Sequence, residues 1–261
     1  MKKQWTKKQH FVPRMILKHH TYFRTPMRKP IIYQYDKEKD ICRTVDIYDI
    51  CRKNNLYEFC NEDGRIKEST RNAIEKALSV YESSWDKVLY KILNYQDLTN
   101  ADFAFLYLLF AVQILRLPDV QRVGVRSYKA FFKYIERQFT GIGIENWFKY
   151  ASLPTGIIDE NQMILKAFVE MLEKKELTIC YSEDVLVING EFPVVVYLPN
   201  FDCDFPVASH LCLRLRDKRR GNVYNHLSRN DVKKLNDYII NACNGRFIYS
   251  SVPYNQILKE D

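Results

Sequence analysis

The chain has 261 residues, with 28% charged, 46% hydrophobic and 14% aromatic side chains, which excludes a disordered or low-complexity polymer and gives enough length to bury a core without disulfide staples. A formal charge of +8 suits an anionic partner, because a positive field concentrates polyanions near the surface, and suits equally a basic balance that only aids solubility. Seven cysteines, odd in number and with no C-x-x-C pair, argue against a disulfide framework or a thiolate zinc site and point to a reducing cytoplasm.

The opening is lysine-rich and runs into Gln9-His10-Phe11-Val12-Pro13-Arg14, without the apolar stretch and cleavage site of a secretory peptide. Pro13 biases Val12 to an extended conformation, so His10 and Val12 face one way and Phe11 the other. Met15-Ile16-Leu17 predicts a short helix or turn. Ile31 to Tyr35 and Ile41 to Val45, flanking a polar run from Asp36 to Asp40, predict a β-hairpin. A loop carrying Asn55-Leu56-Tyr57-Glu58 follows.

From about Thr70 to Leu93, the residues Ile74, Ala77, Leu78, Tyr81, Trp85, Val88, Leu89 and Ile92 recur at helical spacing, which predicts one long amphipathic helix. Glu75 and Glu82 stand along one border of that stripe, where two carboxylates suit a cation, a basic partner or ordinary flanking ion pairs. Thr99 and Asp102 have capping-box spacing before the apolar run to Leu115, which Pro118 ends. At 13 residues, the most apolar stretch, Phe103 to Leu115, predicts a buried helix and is too short to cross a membrane.

Asp119 to Phe139 predicts a helix with a basic ridge. Arg122, Arg126, Lys129, Lys133 and Arg137 fall within about 80° of one face, an arrangement that suits phosphate contacts and also an ordinary solvated face. After a further helical pattern from Asn161 to Lys175, short strands are expected at 177–181, 185–188, 194–198 and 210–215. In the last, Arg214 and Arg216 alternate with Leu213 and Leu215 and are expected to point outward, followed by Lys218-Arg219-Arg220 in a turn. Ser228 and Asp231 repeat the capping-box spacing ahead of a terminal helix, and Arg246 to Ser250 closes as a strand.

The motifs for P-loop, Rossmann, zincin and α/β-hydrolase chemistry are absent from the sequence. The constellation left is His10, Arg14 and Glu58 as catalytic candidates, with Glu75, Glu82 and Glu191 as metal candidates. Together they hold an imidazole for general base work, carboxylates for magnesium or manganese, and a guanidinium for phosphate. The competing reading makes His10 and Arg14 part of a buried polar network that pins the N-terminal segment.

Several of these residues, in this order, resemble the bacterial domain-of-unknown-function family numbered 4238. They are His10, Val12, Pro13 and Leu17; Asn55 to Glu58; Ile74-Glu75 and Tyr81-Glu82; Leu115 to Pro118; and Asn241-Ala242 with Arg246 to Ser250. Two stretches depart from the pattern: Gly190-Glu191-Phe192-Pro193 stands for Ser-Asp-x-Pro, and Pro206 to Ser209 stands for Pro-Leu-Ser-Pro. A glutamate in place of aspartate would move any ion bound there. The resemblance implies a prokaryotic or mobile-element protein and assigns no reaction.

The reading is a single α+β domain: an N-terminal arm and β-hairpin over 1–60, a central α-helical bundle over 70–175, and a C-terminal antiparallel sheet with a terminal helix and strand over 177–261. Two functions compete. One is a nucleic-acid-acting protein, such as a metal-dependent nuclease of a prokaryotic phage-defence or mobile-element system. The other is a non-catalytic module that binds nucleic acid or an acidic protein, or a scaffold for a regulatory partner, with no membrane role in either case.

Overall fold

The computed structural model describes residues 6–22, 30–58, 63, 65–115, 169–197, 202–217, 222–242 and 245–257. The basic ridge over 119–139, the turn 218–220 and most of the pattern at 161–175 lie outside them.

The chain is α+β. Strand β1 (Lys8–His10) leads into helix α1 (Arg14–His19), which buries Met15, Ile16 and Leu17. Strands β2 (Ile31–Asp36) and β3 (Ile41–Asp46) form the expected hairpin, in antiparallel register from Ile31↔Asp46 to Asp36↔Ile41. Strand β4 (Arg52–Asn54) pairs antiparallel with β1, His10 opposite Arg52. Helices α2 (Ala73–Leu93) and α3 (Asn100–Leu115) follow.

The later strands are β5 (Lys175–Tyr181), β6 (Ile188–Asn189), β7 (Val195–Tyr197), β8 (Asp202–Ala208), β9 (Leu211–Asp217) and β10 (Tyr224–His226). Helix α4 (Arg229–Asp237) continues into a π-helical turn at Tyr238–Ala242. Strand β11 (Phe247–Ser250) and the short helix α5 (Tyr254–Ile257) end the described chain.

These elements fall into two compact units, each drawn from separated stretches: Met1–Phe11 with Arg52–Leu172, and Val12–Cys51 with Glu173–Asp261. In the first, α2 buries Leu78, Trp85, Val88, Leu89 and Ile92, the inner stripe expected from its period. On α3, Leu109, Phe110, Ala111 and Val112 are all buried, so four consecutive positions turn inward and the second half of the helix is enclosed, while Ala101 and Ala104 in its first half are exposed. Asp102 does two jobs at the start of α3. Its Oδ2 accepts from Thr99 N at 2.8 Å, and both oxygens accept from Lys91 Nζ of α2 at 3.0 and 2.8 Å. Burial opposes ionisation of this carboxyl, yet the Lys91 ammonium and the Thr99 cap prevail and hold it below the usual carboxylate range.

The second unit contains two sheets. One has the order β10-β5-β9-β8-β7, and the other β3-β2-β11-β6. Thus the N-terminal hairpin does share a sheet with the last strand, β11 pairing antiparallel with β2. The larger sheet departs from the expected all-antiparallel arrangement at one edge, where β10 runs parallel to β5.

Strand β8 was not expected from the sequence, because two aspartates and Pro206 are poor strand residues. Pro206 is accommodated where the register with β9 shifts between Pro206 and Ala208, so the missing N–H falls at an irregularity of the ladder. Helix α4 carries the full capping box, Ser228 Oγ accepting from Asp231 N at 3.2 Å and Asp231 Oδ2 from Ser228 N at 3.2 Å. Its Val232 and Leu235, with Ile239 of the following turn, join Cys180, Cys212, Val195 and Ile248 in one core.

Candidate functional site

In the first unit, the signature before Pro13 converges on Glu58. That residue is 3% exposed, and its carboxylate accepts from Gln9 Nε2 at 2.7 Å, Asn72 Nδ2 at 2.7 Å and Asn72 N at 3.1 Å. All three donors are neutral amides. Asn72 is the residue before α2 and holds a left-handed backbone, φ 58°, which asparagine tolerates better than most residues. The charge of Glu58 therefore sits at the positive end of a 21-residue helix, where the macrodipole favours it.

The same residues pin the N-terminal strand. Gln9 Oε1 accepts from Tyr57 N at 2.8 Å, Tyr57 Oη donates to His10 O at 3.0 Å, and Gln113 Nε2 of α3 donates to Phe11 O at 2.9 Å. Asn72 also exchanges bonds with the Thr6 backbone, at 2.7 and 3.0 Å. His10 is half-buried on β1, Glu75 stands in the first turn of α2 and Glu82 two turns further on, both half-buried.

Arg14 and Glu191 belong to the second unit. Arg14 is exposed at the start of α1, its guanidinium 5.4 Å from the centre of the Tyr48 ring. Glu191 lies in the turn after β6, where Asn189 Oδ1 accepts from Glu191 N at 2.9 Å and Phe192 N at 3.0 Å, and Glu191 Oε2 accepts from Phe247 N at 3.4 Å. Gly245 permits this packing, because a Cβ there would run into Asn189 and Glu191. Beside the turn, Arg246 grips Asp36 with two bonds, at 2.9 and 2.6 Å, and reaches Glu38 at 2.8 Å. The Arg246 guanidinium holds the Asp36 carboxyl below its ordinary range.

Arg214 and Arg216, expected to face outward, are half-buried. They close on Asp204, itself 1% exposed: Arg214 Nε donates to Oδ1 at 2.8 Å, and Arg216 Nη2 donates to both oxygens at 2.8 Å. Tyr197 Oη donates to Asp204 Oδ2 at 3.0 Å, and the ring of Tyr197 lies 5.3 Å under the Arg216 guanidinium. Burial, then the Asp204 charge, push the Tyr197 hydroxyl well above the usual tyrosine range, so it stays a donor. Lys175 closes the end of the same sheet on Asp202 at 3.0 Å and Asp217 at 2.8 Å.

Among the described residues, no group of three or more His, Cys, Asp or Glu side chains is arranged to hold a metal ion. The buried carboxylates Glu58 and Asp204 have their hydrogen-bond donors within the protein. Sequence reasoning missed Gln9, Asn72, Asp204 and Tyr197. A signal for Asp204 exists, since Asp202-x-Asp204 and Arg214-x-Arg216 share the two-residue period that would set them opposite each other in an antiparallel pair. A cleft of about 340 Å³ in the second unit, lined by Asp184, Val185, Arg229, Val232, Lys233 and Asn236 among others, contains none of the candidate residues.

Fold and site define an α+β protein in which the polar opening is hydrogen-bonded to Glu58 and Tyr57, and buried acids are matched by internal donors. The chain belongs to the family described as protein of unknown function DUF4238, whose model matches residues 8–252. No curated protein and no solved structure matches it. No described helix is long and apolar enough to cross a membrane.

Proposed function

We propose that this chain is a nucleic-acid-binding protein whose polar opening is an anchor of the fold and whose excess cations meet phosphate. The observation that carries the reading is the fate of the acids. Glu58, Asp102 and Asp204 are buried and bonded to internal donors, while the sequence as a whole carries eight more lysines and arginines than aspartates and glutamates. Cations on a polyanion release condensed counterions, so the affinity must fall as salt rises.

Fluorescence anisotropy with labelled DNA and RNA, titrated from about 50 to about 200 mM salt, tests this. The expected result is a linear fall of log affinity with log salt, and a slope reduced by about two in Lys129→Ala/Lys133→Ala. Affinity that does not respond to salt would sink the reading.

A second reading, metal-dependent phosphodiester cleavage with His10 as general base, is favoured by one observation: His10, Glu58 and Glu75 belong to the same unit, and the His10 backbone is linked to Glu58 through Tyr57 and Gln9. Incubation with labelled RNA and DNA plus magnesium or manganese separates the two, since only the enzyme cleaves and loses cleavage on His10→Ala. A cytoplasmic setting is supported by the five described cysteines, all free thiols. A phage-defence or mobile-element context rests on the family resemblance.

A further inference from the structure

The cleft of the second unit contains none of the residues discussed so far as a site, and its lining has a chemistry of its own. Helix α4 forms one wall. Its residues Arg229, Val232, Lys233, Asn236 and Asp237 fall at i, i+3, i+4, i+7 and i+8, so they share one face of the helix. On that face Val232 and Asn236 are buried and lie at the base, whereas Arg229 and Lys233 are exposed and form the rim. The turn Glu183-Asp184-Val185 between β5 and β6 forms the second wall, and Val252 and Ile257, around α5, form the third.

These walls are held in place by contacts of the fold itself. Asn236 uses both ends of its amide as a bridge: its Nδ2 donates to Val185 O at 2.8 Å, and its Oδ1 accepts from Val187 N at 3.0 Å. The turn is pinned on either side as well, where Ser182 Oγ donates to Asp184 O at 2.7 Å and Leu186 N donates to Ser209 O at 2.8 Å. Tyr254 anchors α5, its ring stacked on Tyr35 with centroids 3.6 Å apart and planes 7° from parallel. A cleft whose walls are already fixed loses little order when a ligand enters.

What it can hold follows from its charges. Glu183, Asp184 and Asp237 border the cleft together with Arg229 and Lys233. A simple anion would meet three carboxylates there, and a simple cation would meet two basic groups. A zwitterion is matched at both ends. The apolar part of the lining, Val185, Val232, Val252 and Ile257, is aliphatic, and the described lining residues include no aromatic ring on which a base or a sugar could stack. The volume of about 340 Å³ is at the small end of ligand pockets and suits one or two residues of peptide.

We infer that this cleft binds a zwitterion with an aliphatic side chain, a free amino acid or dipeptide of the leucine type, whose carboxylate meets Arg229 and Lys233 and whose ammonium meets Glu183 and Asp184. The site uses none of the residues assigned to nucleic acid, so it stands or falls independently of the binding reading above.

Isothermal titration calorimetry of the full chain with leucine and with leucyl-leucine tests it, against isovalerate, which keeps only the carboxylate, and isoamylamine, which keeps only the ammonium. At least one zwitterion is expected to bind with a Kd below about 1 mM and about 10-fold or more tighter than either single-charge analogue. Whether leucine or leucyl-leucine binds more tightly separates a free amino acid from a peptide as the source. Asp184→Asn and Lys233→Gln, both outside the core, are each expected to weaken binding about 10-fold while circular dichroism and the urea midpoint stay unchanged. The inference is overturned if neither zwitterion reaches a Kd of about 1 mM, if a single-charge analogue binds as tightly as the zwitterions, or if either variant binds like wild type.

Discussion

The two units hold a buried carboxylate in opposite ways. Glu58 in the first is surrounded by neutral amides and the amino end of α2, whereas Asp204 in the second is clamped by two guanidinium groups and a phenol. A charge matched by dipoles tolerates small shifts, because each N–H carries only a fraction of the compensation. A charge matched by other charges depends on every member, since loss of one leaves the rest buried and uncompensated. The first unit thus uses its acid to position backbone, and the second uses its acid to neutralise arginines on a sheet face.

The sharpest way to break this contrast is Asp204→Ala. It leaves Arg214 and Arg216 half-buried without their counter-ion and is expected to cost about 3–5 kcal/mol, read as a lower urea midpoint. A cost near that of an ordinary surface substitution would mean that the clamp is not the device described here.

Acid should act next. His20 in the second unit is buried, its Nε2 3.1 Å from the Pro206 carbonyl and its Nδ1 without a partner. Burial first, and then the neighbouring His19 and His210, lower its pKa from 6.5 to about 4. The folded protein therefore binds fewer protons than the unfolded chain between these values. Above pH 6.5 this group contributes nothing to the pH dependence, and stability falls as pH drops from 6.5 towards 4, by about 3 kcal/mol in total. Denaturant midpoints across that window should show the fall, and His20→Asn should flatten it.

The smallest of the three effects belongs to the first unit. Glu58→Gln keeps the shape but turns one oxygen into a donor facing donors, at an expected cost of about 2 kcal/mol.

Much of the fold could be read from the chain, and the legible parts are those governed by neighbours in sequence. The stripe of α2, the hairpin of β2 and β3, and both capping boxes depend on contacts within a turn or two, so residue spacing is sufficient. Strand β8 was hidden because Pro206 and two aspartates violate local preference, and only pairing on both sides makes Asp202 to Ala208 a strand. The candidate site was legible as a set of polar residues around His10 and Glu58, with a pinning network as one of its two readings, but the partners Gln9 and Asn72 were not, since they carry no signal until α2 brings Asn72 to Glu58.

Arg214 and Arg216 mark the boundary between the two kinds of information. Their alternation with leucines determined that they share one face of a strand, because the pleat has a period of two. Whether that face meets water or Asp204 was decided by the strand placed beside it, and strand order is set by burial across the whole sheet, to which local spacing is blind.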